Sequence, residues 1–360
     1  MKVCVFGLRG FPEVQGGAEK HCEELYTHFA SDEFNFIIFR RKPYVKCTPK
    51  YENIRFIDLP STRIKGVEPV LHSFLATVVS IFLKPDIVHI HNIGPSLFCP
   101  LLRLFCRRVV VSYHSPNYEH SKWGIGARTL LKFCEGLVLK YANKVIFVNS
   151  FQMGKIPEKY KMKLVYIPNG IADGLTPSQN TSCIEKLGLE KDKFIFALGR
   201  ITPEKGFDIL IDAFERADLK DFKLCIAGAV ESESGYFNQL KKKAGGNVCF
   251  PGFVTGERLK QLYSHARLFV LPSRNEGFPL VLLDAMAYGK DIIASDIPAS
   301  HLVDLPKDDY FQKENINQLS SLLKEKIESP PIYHHYDLSR FNWNGIVCET
   351  IKVYQDCYEC

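Results

Sequence analysis

No apolar run in this 360-residue chain reaches the roughly 18 to 20 residues that a membrane-spanning helix needs. The longest candidate, Val70 to Leu83, is interrupted by His72, Ser73, Thr77 and Ser80. The opening M-K-V-C-V-F-G-L-R-G is too short an apolar stretch for a secretory leader and reads as a first β-strand, so a cytoplasmic protein is expected. A disulfide framework is lacking too. The twelve cysteines are scattered, and Cys4, Cys99, Cys225 and Cys249 sit inside apolar runs as reduced, small core residues. Cys357 and Cys360 form a lone C-x-x-C without a second pair or a βα context, so it is not read as a metal or redox motif. Zinc-finger spacing, a helix-turn-helix pattern and RNP-like aromatics are missing as well, and nucleic acid is not an expected partner.

What the chain does have is an ordinary soluble composition and enough length for two domains with their own cores. Its charge is unevenly distributed. Residues 1–168 hold 24 Lys/Arg against 13 Asp/Glu, whereas the remainder holds 22 against 27. A basic first half suggests an anionic partner, and with nucleic acid set aside the choices are a phosphorylated substrate or an anionic lipid surface.

Short apolar runs alternate with helical stretches throughout, the pattern of parallel α/β sheets. Strands are expected at Val3–Gly7, Phe36–Phe39, Ile54–Leu59, Ile87–His91, Val109–Tyr113 and Lys144–Asn149. A second set follows at Phe194–Gly199, Lys223–Ala227, Val248–Gly252, Leu268–Pro272 and Asp291–Ser295. The stretch from Pro168 to Ser182 is rich in Pro, Gly, Asn and Ser without periodicity, as an interdomain connection should be. The expected division is 1–168, 169–341 and a closing amphipathic helix at 342–360 that packs back on the first domain. Two doubly wound, Rossmann-like domains would face each other across a cleft formed by the C-terminal ends of their strands, where open α/β sheets bind ligands.

Several side chains stand out along this frame. Arg200 and Lys205 follow Gly199 at the end of an expected strand, in a loop that enters a helix near Phe207. Two cations beside a helix N-terminus suit a pyrophosphate. The stretch R-N-E-G-F-P-L-V-L-L-D-A-M-A-Y-G places Glu276 just before an almost wholly apolar helix that carries Asp284. A carboxylate in such a helix is either a core acid satisfied by internal donors or one held out for sugar hydroxyls. His89 and His91 share a strand face and could act as ligands, but no further ligand stands at a metal-site spacing, so strand-end polar packing is expected. His114 ends the strand V-V-V-S-Y-H, and Asn117, Tyr118 and Trp123 follow in a segment suited to a sugar-binding lid or to a solvated loop. The segment Leu97 to Arg108 joins an apolar face to Arg103, Arg107 and Arg108; it reads either as a surface that rests on an anionic membrane leaflet or as a core helix with a basic end.

Taken together these residues resemble the retaining GT-B glycosyltransferases, in particular family 4 and its bacterial members that build surface polysaccharides. Glu276 and Asp284 stand where that family has its E-x7-E motif, and Gly199-Arg200…Glu204-Lys205-Gly206 is similar to its phosphate-binding stretch. Ile167-Pro-Asn-Gly170 resembles its linker, Pro251-Gly-Phe253-Val254 its nucleobase-side loop, and G-L-R-G-F-P-E-V-Q-G-G-A-E its N-terminal glycine loop. The resemblance implies a transferase that moves a sugar from a nucleotide diphosphate sugar, expected to be UDP-linked, to a saccharide or polyprenyl-diphosphate-linked saccharide. It implies no cofactor and no metal. Arg200 and Lys205 would neutralise the leaving diphosphate, and Glu276 with the N–H groups of Gly277 and Phe278 would hold the transferred sugar. Asp284 would take the ribose, Phe253 and Val254 the base, and His114 the donor sugar and phosphate, while Gly16 and Gly17 would let the N-terminal loop approach the phosphates. Asp284 departs from the family's second Glu by one methylene, which bears on donor affinity. A non-catalytic GT-B binding subunit and a GT-B sugar-nucleotide epimerase are the alternatives, the first disfavoured because Arg200, Lys205, Glu276 and His114 are all present.

Overall fold

The computed structural model describes the chain apart from residues 30–32, 63, 65, 107, 117, 119–123, 172–173, 231–234 and 360. Asn117, Trp123, Arg107 and Cys360, singled out above, therefore lie outside the described residues. The chain divides into two compact units, one made of Met1–Gly170 with Arg340–Cys360 and the other of Ile171–Ser339.

The first unit runs β1 (Lys2–Phe6), α1 (Gly17–Thr27), β2 (Asn35–Arg41), β3 (Ile54–Leu59), α2 (Val67–Leu83) and β4 (Ile87–His91). It continues with α3 (Cys99–Cys106), β5 (Val109–Tyr113), α4 (Ile125–Tyr141), β6 (Lys144–Phe147), α5 (Ser150–Gly154) and β7 (Leu164–Tyr166). All seven strands are parallel, in the order β3-β2-β1-β4-β5-β6-β7. A parallel sheet is covered on both faces, which is why its strands are apolar throughout rather than alternating. Along β1, Val3 and Val5 enter one core with Leu25 and Tyr26 of α1, while Cys4 and Phe6 enter the opposite core with Ala76 of α2 and Leu102 of α3.

The second unit runs α6 (Ser182–Glu185), β8 (Phe194–Leu198), α7 (Phe207–Ala217), β9 (Lys223–Ala227), α8 (Gly235–Lys243), β10 (Val248–Cys249) and α9 (Gly256–His265). It closes with β11 (Leu268–Leu271), α10 (Leu280–Ala287), β12 (Asp291–Asp296), β13 (Tyr310–Gln312) and α11 (Ile316–Glu328). Its six strands are again parallel, in the order β10-β9-β8-β11-β12-β13. The last helix, α12 (Trp343–Glu359), belongs to the first unit, where Trp343, Ile346 and Tyr354 join the core built on Val3 and Val5. Cys357 is buried in that same core.

The sequence expectations differ from the structure mainly at strand ends. The strand expected to reach Asn149 stops at Phe147, because the Asn149 side chain caps α5 by accepting a hydrogen bond from Gln152 N at 3.1 Å. The strand expected over Val248–Gly252 pairs only at Val248 and Cys249; Pro251 has no N–H to give to a ladder. The edge strands β7 and β13, three residues each, were not anticipated, being too short to show a period.

In each sheet the strand order reverses direction once, between β1 and β4 and between β8 and β11. The loops leaving the C-terminal ends of such a pair diverge to opposite sides and leave a crevice, the usual ligand position in open α/β sheets.

Candidate functional site

The loops after β8 and β11 bring two of the second unit's expected donor residues, Lys205 and Glu276, together. Lys205 ends a short 3₁₀ turn, Pro203–Lys205, between β8 and α7. Its ammonium lies 2.5 Å from Glu276 Oε1, and Ser273 Oγ donates to the same oxygen at 2.7 Å. Both charged side chains are largely shielded, 18% and 10% exposed, so each is stabilised by having the other. Gly206 makes the approach feasible. It adopts φ +65°, and a Cβ there would fall 2.0 Å from the Pro272 carbonyl oxygen at the end of β11. Arg200 directly follows Gly199 at the end of β8 and is half-buried.

A second cation, not anticipated from the sequence, holds these loops in place. Arg274 donates to both carboxylate oxygens of Asp208 in the first turn of α7, at 2.8 and 2.7 Å. It also donates to the Pro203 carbonyl at 2.7 Å and to Glu314 at 2.7 Å, while its own N–H reaches the Glu204 carbonyl at 2.8 Å. The planar guanidinium thus joins the lysine-bearing loop to the glutamate-bearing loop. Burial alone would raise the Asp208 carboxyl, but hydrogen bonds from Arg274 and Tyr236 outweigh it and hold its pKa below the ordinary carboxylate value.

Asp284 sits on α10, 6% exposed, on a helix whose residues Leu282 to Met286 are all buried. Its charge adds to burial in raising the pKa of the neighbouring Tyr263 and Tyr288 hydroxyls, the latter to about 12. Gly277 and Phe278 lie in the loop between Glu276 and α10. Of the expected base-side pair, Val254 is buried and Phe253 is 46% exposed.

In the first unit the ends of β4 and β5 carry a buried polar cluster. His89, His91, Ser112 and His114 point to one face of the sheet by the period of two, and α1 and α12 cover that face. His91 Nδ1 lies 3.0 Å from His114 Nε2, and Cys22 Sγ lies 3.2 Å from His91 Nδ1. The Tyr26 hydroxyl is 2.7 Å from His91 Nε2 and 3.0 Å from His89 Nδ1, and Tyr354 of α12 is 2.6 Å from His89 Nδ1. Burial lowers the pKa of His21 to about 4 and of His89 to about 3, and pushes His91 and His114 well below the usual value, so all four rings are neutral near pH 7.

His21, His91 and His114 offer nitrogens that all lie within 4.8 Å of one another, a spacing that a metal ion could use. The sequence had offered only His89 and His91; His21 and His114 arrive from α1 and β5, too far along the chain for any spacing rule. The geometry of the closest pair is nonetheless that of a hydrogen bond. The His91 and His114 ring centroids are 5.3 Å apart, as far as a 3.0 Å contact between ring nitrogens permits, so the two nitrogens lie on the line joining the rings. Ligands of one ion would instead aim their lone pairs at a common point off that line.

Other residues singled out on this unit have local partners. Gly16, with φ +154°, makes room for Glu19: a Cβ would fall 1.9 Å from the Glu19 carboxylate, whose other oxygen accepts from Arg9 N at 3.3 Å. Gly17 is the first residue of α1. Tyr118 donates to Glu135 of α4 at 3.2 Å, under the Lys132 ammonium. Arg108 does not extend the basic face of α3; it donates to the carbonyls of Cys357 and Tyr358 at 2.7 Å each, satisfying the C-terminal end of α12. Phe82 of α2, Leu104 and Phe105 of α3, and Ile125 and Phe133 of α4 are 54–86% exposed on three helices of one layer.

Comparison with known proteins agrees with this architecture. Residues 180–337 match the model of the glycosyl transferases group 1, and residues 15–174 match that of glycosyltransferase family 4. The chain is 24% identical to an uncharacterized glycosyltransferase of Methanocaldococcus jannaschii over all of its own length and 99% of that protein. It is 24% identical, over 66% of each chain, to the amylovoran biosynthesis glycosyltransferase AmsD of Erwinia amylovora. Among solved structures it is similar to sucrose-phosphate synthase from Thermosynechococcus elongatus, with a TM-score of 0.83, 20% identity and 99% of each chain covered. It is also similar to HepE of Anabaena in complex with UDP and glucose, with a TM-score of 0.77, 16% identity and 99% of each chain covered.

The Arg274–Asp208 fork generates a prediction with a defined pH window. A carboxyl whose pKa is depressed by folding contributes stability above its ordinary value, and that contribution is lost as pH falls through the depressed one. Asp208→Asn should therefore cost about 1–3 kcal/mol in urea denaturation at pH 7. The gap to the unmodified protein should narrow steadily as the pH is lowered through the acid range. A gap that stays constant down to pH 3 would show that the charge on Asp208 is not what holds the loops.

Proposed function

The chain is a glycosyltransferase of the GT-B fold, and from that premise we propose that it moves a sugar, with retention of configuration, from a UDP-linked donor to a lipid-linked saccharide during surface-polysaccharide assembly. The observation that carries this reading is the Lys205–Glu276 contact at the strand-order reversal of the second unit. A cation and an acid held side by side in a shielded site suit a ligand that is a diphosphate at one end and a polyhydroxylated ring at the other. The likeness to a polysaccharide glycosyltransferase favours the acceptor class, and the UDP bound to HepE favours the nucleotide.

The chemistry assigned to each residue follows from where charge develops. As the bond to the sugar breaks, negative charge gathers on the leaving diphosphate and positive charge on the sugar ring. Fixed cations next to the diphosphate act most strongly in that transition state, which is the condition for acceleration. Arg200 and Lys205 take this role, with the positive end of the α7 dipole behind them. Glu276, with the N–H groups of Gly277 and Phe278, holds the transferred sugar by its hydroxyls. Asp284 takes the ribose, Phe253 and Val254 flank the base, and donor contacts are also assigned to His114 and to the loop at Gly16 and Gly17. Attack by the acceptor on the same face lets the leaving phosphate take the acceptor's proton, and no separate general base is assigned. The positive charge comes from side chains, so transfer is proposed to need no metal. On the acceptor side Asn117, Tyr118 and Trp123 are assigned to the saccharide.

The apolar face of α2, α3 and α4 fits a lipid-linked acceptor. Phe82, Leu104, Phe105, Ile125 and Phe133 are among the apolar side chains exposed on these helices, Arg103 and Lys132 are exposed on α3 and α4, and this half of the chain carries the basic excess. Large exposed apolar side chains interleaved with cations match an anionic leaflet, whose headgroups attract the one and whose acyl boundary takes the other.

Two outcomes check the reading. With a panel of nucleotide sugars and a polyprenyl-diphosphate-linked saccharide, nucleotide release should depend on the acceptor and survive a chelator, and Lys205→Ala should lower it by about 10²–10³-fold. Release without glycoside formation from every donor would contradict sugar transfer, and loss of activity in chelator would contradict metal independence. In co-sedimentation with phosphatidylglycerol vesicles, Leu104→Glu with Phe105→Glu should reduce binding by about tenfold or more, given the apolar area withdrawn from the bilayer. Binding indifferent to these changes, or to the anionic lipid, would remove the membrane from the account.

A further inference from the structure

The imidazole pair beneath His114 carries an inference that rests on the reading of His114 as a donor contact. His114 Nε2 is held by another histidine rather than by a fixed peptide group, and each partner behind it can donate or accept in turn. The links run from His114 Nε2 to His91 Nδ1 (3.0 Å), from His91 Nε2 to the Tyr26 hydroxyl (2.7 Å), from that hydroxyl to His89 Nδ1 (3.0 Å), and from His89 Nε2 to Ser112 Oγ (2.8 Å). Tyr354 of α12 joins at His89 Nδ1 (2.6 Å).

A neutral imidazole donates at one nitrogen and accepts at the other. Burial keeps these three rings neutral, and the links from Ser112 to His114 have two concerted settings, with Cys22 Sγ a second neighbour of His91 Nδ1 at 3.2 Å. In one setting Ser112 donates to His89 Nε2, His89 Nδ1–H donates toward the tyrosine oxygens, Tyr26 donates to His91 Nε2, and His91 Nδ1–H donates to His114 Nε2. His114 then carries its single proton on Nδ1. In the other setting every arrow is reversed and Nδ1 of His114 is a bare acceptor. Each ring holds one proton in both settings, so they differ in direction and not in charge.

We propose that this relay fixes the first setting, and that His91, Tyr26 and His89 are positioning residues that make His114 a neutral N–H donor, through Nδ1, toward an anionic or hydroxyl oxygen of the nucleotide sugar. Such a donor serves the site in a way a free histidine does not. It offers a proton to phosphate or sugar oxygen without the cost of burying a charge. It also does so in the tautomer that an unconstrained histidine side chain populates less in water, so the preference has to come from the partner on Nε2. The arrangement explains why a tyrosine of α1 and one of the last helix converge on buried histidines of β4.

The test uses the full-length protein with ¹⁵N-labelled histidine, whose ring nitrogen shifts report the tautomer directly. His114 is expected to be protonated on Nδ1 at pH 7. Tyr26→Phe keeps the ring and removes the link, and should convert His114 to a mixture rich in the Nε2–H form while lowering sugar transfer by about tenfold or more, as a wrong tautomer does in other enzymes. Should that variant not fold, Tyr354→Phe interrogates the same relay from α12. Nε2 protonation in the unmodified protein, a tautomer that neither variant moves, or zinc bound stoichiometrically at the cluster would each overturn the proposal. A tautomer that moves while transfer stays unchanged would support the relay and remove His114 from the donor contacts, so the two readings fail separately.

Discussion

The contact between the Lys205 ammonium and the Glu276 carboxylate organises the second unit's site. Two charges with so little access to water are costly unless each has a partner, and they come from loops on either side of a reversal in strand order. The rest of the local structure serves to close that gap. Gly206 leaves room beside the Pro272 carbonyl, Ser273 donates to the same carboxylate oxygen, and Arg274 ties both loops to the first turn of α7. The same pairing suits the proposed chemistry, because a diphosphate can replace the carboxylate on Lys205 while sugar hydroxyls replace the ammonium on Glu276.

The first unit meets the same topological constraint with different chemistry. Its reversal point is bordered by β4, and there the sheet presents neutral rings instead of ions. Burial disfavours the charged form of these histidines, and their mutual repulsion adds to it, so they remain uncharged and are satisfied by each other and by tyrosine hydroxyls. The second unit thus holds paired charge, and the first holds a hydrogen-bonded chain of neutral rings. The last helix contributes to that chain, since Tyr354 reaches the cluster and Arg108 secures the helix's C-terminal carbonyls.

Much of the architecture was legible in the sequence, because strands buried on both faces announce themselves as unbroken apolar runs. V-V-V-S-Y and F-I-F-A-L were recognisable for that reason, whereas the three-residue edge strands had too little length to show anything. Lys205 and Glu276 were legible as candidates, but their contact joins positions 71 residues apart and needed coordinates. Arg274 stood beside the motif and drew no notice, since a charge in a loop does not reveal its partner. His89 and His91 showed a shared face; His21, Tyr26 and Tyr354 did not, because helices α1 and α12 reach the cluster from distant parts of the chain. The partners of Arg108 are backbone carbonyls, which leave no trace in side-chain spacing.

The most direct measurement is a crystal structure of the protein with UDP-glucose bound, in which the Lys205 Nζ to Glu276 Oε1 distance is compared with the 2.5 Å described above. The pair is expected to open, with Lys205 on a diphosphate oxygen and Glu276 on hydroxyls of the sugar. A nucleotide sugar bound with the pair still closed, and its diphosphate away from Lys205 and Arg200, would contradict this role for the pair.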